Sequence, residues 1–195
     1  MSTKLNSFVV ADPLKCIGCK VCEVACSIAH TEPSALTAGT LENPIIPKLY
    51  LVNTAEVTMP VQCRHCEDAP CANSCPIGAI SQVDNKILVS EEDCVGCKTC
   101  LMACPFGAID LVPKYVSGEE VTQRLLKSET HQGIKEKAVA FANKCDLCSG
   151  RPAGPACVQS CPEKALEIIA PKSVKKKRNQ EAALSLLESV KKFIS

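Results

Sequence analysis

The chain has no tryptophan, two tyrosines and four phenylalanines in 195 residues. Aromatic rings are the usual large anchors of a core this size, so something else must organise this one. No apolar run approaches the roughly 18 residues of a spanning helix, and no transmembrane segment is expected. A dominant sign of charge is also missing. Against 21 acidic residues stand 22 Lys and Arg, a formal +1, which offers no electrostatic footprint for nucleic acid. Residues 1–12 hold neither an apolar signal core nor a twin-arginine pair. A reducing, cytoplasmic setting is therefore expected. No phosphate-cradling GxGxxG, flavin fingerprint or nucleophile–base pair is present, so no catalysis of its own is expected. With 46 % apolar and 22 % charged residues the chain is globular and not disordered.

What the chain has is cysteine, sixteen of them or about 8 %. In a reducing compartment this points to metal and not to disulfides. The cysteines fall into four groups of four: Cys16, Cys19, Cys22, Cys26; Cys63, Cys66, Cys71, Cys75; Cys94, Cys97, Cys100, Cys104; and Cys145, Cys148, Cys157, Cys161. The first and third groups read C-x2-C-x2-C-x3-C, the run that binds iron–sulfur clusters in bacterial ferredoxins. The second and fourth stretch only the middle gap. Proline follows the last cysteine of the later three groups, as Pro76, Pro105 and Pro162.

A cubane cluster needs thiolates converging on a compact core, which closely spaced cysteines in a tight loop provide. The fourth cysteine, three residues further on, is expected on the first turn of a helix that leads away to a neighbouring cluster. Gly18 and Gly96 sit inside their C-x2-C loops, where a missing Cβ lets backbone approach the metal. Structural zinc, in a zinc-stabilised interaction module, is the competing use of sixteen cysteines. Zinc sites, however, usually pair two C-x2-C knuckles across a long gap.

The chain also repeats itself. Residues 15–27 read KCIGCKVCEVACS and residues 93–105 read DCVGCKTCLMACP. The unit is strand, cluster loop, short helix, strand; four units give eight strands. Phe8 to Val10, Lys48 to Asn53 and Ile87 to Val89 are expected strands, and a helix is expected around Val121 to Leu126. The inserts at residues 27–62 and 113–144 are longer than a cluster module needs.

The segments Phe8–Cys26, Cys63–Ile80, Cys94–Ile109 and Lys144–Pro162 resemble the four-cluster, ferredoxin-like electron-transfer subunits of molybdopterin oxidoreductases and hydrogenase complexes. The resemblance is greatest to the small iron–sulfur subunits of formate hydrogenlyase and hydrogen-dependent CO2 reductase. It covers about residues 8–170. It implies an α+β fold of two nested halves related by a pseudo-twofold repeat. The outer half would be residues 1–30 and 140–170, the inner half 31–112, with an insert at 113–139 and a C-terminal helix at 171–195.

The resemblance further implies crossed ligation of four 4Fe–4S clusters. The ligand sets would be Cys16, Cys19, Cys22 with Cys161; Cys145, Cys148, Cys157 with Cys26; Cys63, Cys66, Cys71 with Cys104; and Cys94, Cys97, Cys100 with Cys75. The implied partners are a formate dehydrogenase catalytic subunit and a hydrogenase subunit, with carbon monoxide dehydrogenase or another molybdopterin oxidoreductase as alternatives. Sixteen thiolates against four +2 cores would turn the formal +1 into about −7.

With every ligand position a cysteine, His30, His65 and His131 read as non-ligands. Lys20, Arg64, Lys98 and Lys144 flank cysteines and read either as solvated charge or as partial compensation of cluster charge. In the tail, Ser173 is expected to cap a helix. Ala183, Leu186, Leu187, Val190 and Ile194 form its apolar stripe. That stripe either packs back on the chain or docks another copy or a related iron–sulfur subunit, as in a filament. Contact with a membrane surface ranks third.

Overall fold

The structure, a computed structural model, describes residues 5–31, 41–130 and 133–194. Pro33 and His131 lie outside them. The chain opens with β1 (Phe8–Ala11), a cysteine loop and α1 (Val21–Ala29). The hairpin β2 (Leu49–Asn53) and β3 (Thr58–Gln62) precedes the second cysteine group, which carries α2 (Pro70–Asn73). The hairpin β4 (Ile80–Val83) and β5 (Lys86–Val89) leads to the third group and α3 (Thr99–Ala103). Then come β6 (Asp110–Pro113), β7 (Tyr115–Val116), β8 (Glu119–Glu120), β9 (Thr122–Thr130), β10 (Gly133–Ala138) and β11 (Ala140–Asn143). The fourth group holds α4 (Ala156–Ser160), followed by β12 (Leu166–Ile169) and α5 (Pro171–Ile194).

The strands pair only in twos, as six antiparallel ribbons among the described residues. This is an α+β arrangement with a C-terminal helix. The expected eight strands are twelve, because the inserts form ribbons of their own. A two-stranded ribbon is marginal alone, and these are joined through side-chain cores. β1 pairs with β12, Phe8 facing Ile169, so the two ends of the repeat meet. Likewise α1 packs on α4, and α2 on α3. β6 pairs with β11 across the insert, Asp110 facing Asn143.

Two apolar clusters hold these pieces, and cysteine is part of both. The first gathers Val9, Leu49, Leu147 and Leu166 around Cys22, Cys26, Cys63, Cys145 and Cys157. The second gathers Ile80, Ile87 and Ile109 around Cys71 and Cys100. Cys104 packs against both. The missing aromatic core is therefore replaced by small apolar residues packed against thiols.

Three local expectations are corrected. Val121 to Leu126 is not a helix: residues 122–130 form β9, paired with β10. Leu125 is fully exposed there, so no buried face existed to impose a period; pairing with residues 133–138 decides the conformation. Ser173 does not cap α5. The helix begins at Pro171, whose fixed φ suits a first turn, and Ser173 donates its hydroxyl to the Ala170 carbonyl at 2.7 Å. Nor does the α5 stripe pack back on the chain, since Leu186, Leu187 and Val190 are each at least half exposed.

Candidate metal centre

All four C-x2-C loops turn the same way. The residue just before the second cysteine is left-handed each time: Gly18 at φ 72°, His65 at 48°, Gly96 at 64° and Leu147 at 58°. Glycine takes this conformation freely, while a side chain costs roughly 1–2 kcal/mol. The turn lets the backbone fold over the first thiol. The N–H of His65 donates to Cys63 Sγ at 3.3 Å and that of Leu147 to Cys145 Sγ at 3.4 Å.

Other backbone donors reach thiols from distant segments. Lys48 N–H donates to Cys26 at 3.3 Å, Ala142 to Cys94 at 3.3 Å and Ala156 to Cys148 at 3.4 Å. Ala108 donates to Cys104 and Ala165 to Cys161. Such N–H···S bonds favour the thiolate form that metal ligation requires.

In each group the third cysteine, not the fourth, occupies the first turn of a helix. Cys22 lies in α1, Cys71 in α2, Cys100 in α3 and Cys157 in α4. The fourth comes one turn later: Cys26 is still helical, while Cys104 and Cys161 end their helices. A spacing of four keeps third and fourth on one helix face.

The chain folds distant thiols together. Cys16, Cys19 and Cys22 line one cavity with Cys161. Cys94, Cys97 and Cys100 line another with Cys75. Cys26 packs with Cys145 and Cys157 in the first core. Cys104 lies close enough to Cys66 and Cys71 for its charge to raise both thiols. All sixteen cysteines are free. Burial, opposed in part by local N–H donors, pushes Cys22 up to about 11 and Cys157 up to about 12. The Cys145 thiol is raised further, again by burial first. Buried neighbouring thiols of this kind stay protonated unless a cation arrives to hold them as thiolates. One buried donor also lacks a partner: among the described residues nothing bonds His65 Nε2. Thiols in convergent sets, N–H groups on sulfur and an orphaned donor beside Cys66 fit a sulfide-bearing cluster.

Residues 54–122 match the family described as 4Fe-4S dicluster domain. The chain is 43 % identical over 168 residues to the electron transport protein HydN of Escherichia coli K12, covering 85 % of this chain and 89 % of that one. It is 40 % identical over 200 residues to hydrogenase-4 component A of the same organism, covering 93 % and 91 %. Formate hydrogenlyase subunit 2, also from that organism, is 38 % identical over 179 residues, covering 85 % and 82 %. The chain belongs to the 4Fe–4S electron-transfer subunits of the formate hydrogenlyase type. Zinc stabilisation is thereby replaced by iron–sulfur chemistry. No described helix is long and apolar enough to cross a membrane.

Two polar devices in this electron-transfer subunit were not legible in its sequence. His30 donates from both ring nitrogens, Nδ1 to the Cys26 carbonyl at 2.7 Å and Nε2 to Asp146 at 2.9 Å. Burial works against its charge, but hydrogen bonds with Asp146 and Cys26 win and lift it to about 10. Burial likewise opposes the Asp146 carboxylate, yet His30 and the Lys48 ammonium hold it below the ordinary range. These two residues and Cys148 bring possible ligand atoms within 4.8 Å of one another. Since His30 and Asp146 satisfy each other, the trio is an ion pair beside a cysteine loop.

The second device surrounds Ile87. Its N–H donates to His65 Nδ1 at 2.9 Å, and its carbonyl accepts from Lys144 Nζ. Lys144 also donates to the Cys145 carbonyl at 2.8 Å. Burial first, then the Lys144 charge, push His65 down to about 3, so its ring is neutral and carries its proton on Nε2.

Proposed function

We propose that the subunit carries four 4Fe–4S clusters in the four crossed cysteine sets and relays electrons without catalysing a reaction itself. One observation carries this reading: the exposed thiols fall in two of the proposed sets, and most of the thiols of the other two are buried. Cys19 and Cys97, one in each of the first two, are exposed, while Cys26, Cys63, Cys71, Cys145, Cys148 and Cys157 of the other two are buried. Thiols of different proposed sets share cores: Cys22, Cys26, Cys63, Cys145 and Cys157 lie in the first, and Cys104 packs against both. When bound, such clusters exchange single electrons at potentials tuned by hydrogen bonds and burial.

The chain's own residues then hold, insulate and expose. Leu14, Ile17, Val95 and Met102 are exposed apolar residues around the two sets with exposed thiols, suited to redox partners docking closely. The pairing of β1 with β12 and of α1 with α4, against α2 with α3, supports two nested halves. The dicluster match over residues 54–122 spans the second and third cysteine groups, the proposed inner half. Relatives named hydrogenase-4 component A and formate hydrogenlyase subunit 2 support a hydrogenase as one partner, and the sequence resemblance implies a formate dehydrogenase as the other. The exposed stripe on α5 serves assembly with another iron–sulfur subunit or a second copy.

Iron and acid-labile sulfide on anaerobically purified protein test the number. About sixteen irons per chain are expected, with a brown colour. Eight or fewer, or stoichiometric zinc, overturn the reading.

A further inference from the structure

Among the described residues Lys144 is the only buried lysine or arginine, at 3 % exposure, and no buried aspartate or glutamate accompanies it. Among the described residues no carboxylate lies within ion-pair distance of its ammonium. Asp146 and Glu91 share a cleft with it, but Asp146 pairs with His30 and Lys48, and Glu91 with Lys48. Among the described residues its only bonds are to the neutral carbonyls of Ile87 and Cys145. A buried cation without a counter-charge costs several kcal/mol. A bound group carrying negative charge beside it would offset that cost. Lys15, Lys20 and Lys98 are exposed and Arg64 stacks on the Phe8 ring at 5.5 Å, so the other four cysteine-flanking cations are accounted for by solvent or packing.

The position of the ammonium is as informative as its burial. Lys144 precedes Cys145, yet its Nζ is tied to Ile87, whose N–H is held by His65 between Cys63 and Cys66. It therefore stands between two buried cysteine sets. We propose that Lys144 is a positioning residue for the electron relay: its fixed charge raises the reduction potential of the interior clusters beside it, chiefly the one assigned to Cys63, Cys66, Cys71 and Cys104. This rests on the four-cluster reading above. An added electron makes a cluster more negative, so a nearby cation stabilises the reduced form more than the oxidised one. The neutral His65 ring and the carbonyl ties keep the ammonium from relaxing away.

The test is an anaerobic potentiometric titration, read by electron paramagnetic resonance, of the parent and of K144M, K144Q and K144R. Iron and sulfide on the parent come first. Iron-poor parent protein refutes the four-cluster reading, whereas a titration difference speaks only to Lys144. In K144M and K144Q one interior cluster is expected to be harder to reduce. At the poise where the parent cluster is half reduced, its oxidised-to-reduced ratio should rise at least tenfold, about 59 mV for one electron. K144R should stay within threefold of the parent, and the two clusters with an exposed thiol should be unmoved. Equal potentials in all four proteins overturn the proposal. So does iron loss from both neutral variants with parental potentials in whatever clusters remain, or with none remaining, because Lys144 is then a structural tie only.

Discussion

The carbonyl oxygen of Ala140 lies 2.5 Å from where a Cβ on Gly96 would stand. Gly18, its counterpart in the first cysteine loop, would meet side chains alone, the Thr58 methyl at 3.1 Å and a Leu51 methyl at 3.8 Å. Both are left-handed, so alanine costs roughly 1–2 kcal/mol at either position. At Gly96 backbone must also move, in the same β11 strand whose Ala142 N–H donates to Cys94. G96A should therefore destabilise the protein by clearly more than G18A and lower its iron content. Denaturant unfolding and iron analysis of the two variants check the order.

Crossed ligation makes a prediction about pairs of substitutions. If Cys104 serves the set of Cys63, Cys66 and Cys71, then C104A and C66A each remove the same cluster. The double variant should lose no more iron than either alone, about a quarter of the total. Combining C104A with C97A should remove about half. The reverse pattern would place Cys104 with its sequence neighbours.

The ion pair of His30 and Asp146 gives the protein a pH signature. His30 is raised from 6.5 to about 10, so its contribution is full below about 6.5, falls as pH rises, and is gone above about 10. Asp146 is depressed below its ordinary 3.8; its contribution is full above that value and is lost as pH falls further. Stability from the pair should thus be greatest between about pH 4 and 6.5. D146N should cost about 1–3 kcal/mol in that range, and the difference from the parent should shrink towards pH 10. Thermal unfolding across pH measures it.

Leu184 and Leu186 on α5 are 61 % and 68 % exposed. A 24-residue helix with a bare apolar stripe is expected to be covered in the assembled complex. Truncation before Pro171 should leave iron content unchanged and reduce particle size by light scattering or electron microscopy. Unchanged assembly with intact clusters would count against a docking role.

The cysteine spacing determined the chemistry, because ligand order in a tight loop is a local property that spacing records directly. The strands at Phe8 and Ile87 and the short helices in the cysteine groups were legible for the same reason: each is bounded by ligands or turn residues a few positions away. Tertiary structure decided what distance in sequence conceals. Residues 122–130 chose a strand because a partner at 133–138 was available, although their apolar spacing suggested a helix. Ser173 looked like a cap until the helix started two residues earlier at Pro171. His30 found Asp146 across 116 positions. Lys144, one of five cations beside cysteines and indistinguishable by sequence, became the buried one because Ile87 offers it a carbonyl in a core without buried carboxylates. The scarcity of aromatic rings was visible from the first residue count. That thiols and small aliphatic side chains fill the space instead, Cys22 in one cluster with Val9 and Cys100 in another with Ile87, is a matter of packing. Packing depends on which distant segments meet, and only the folded chain brings them together.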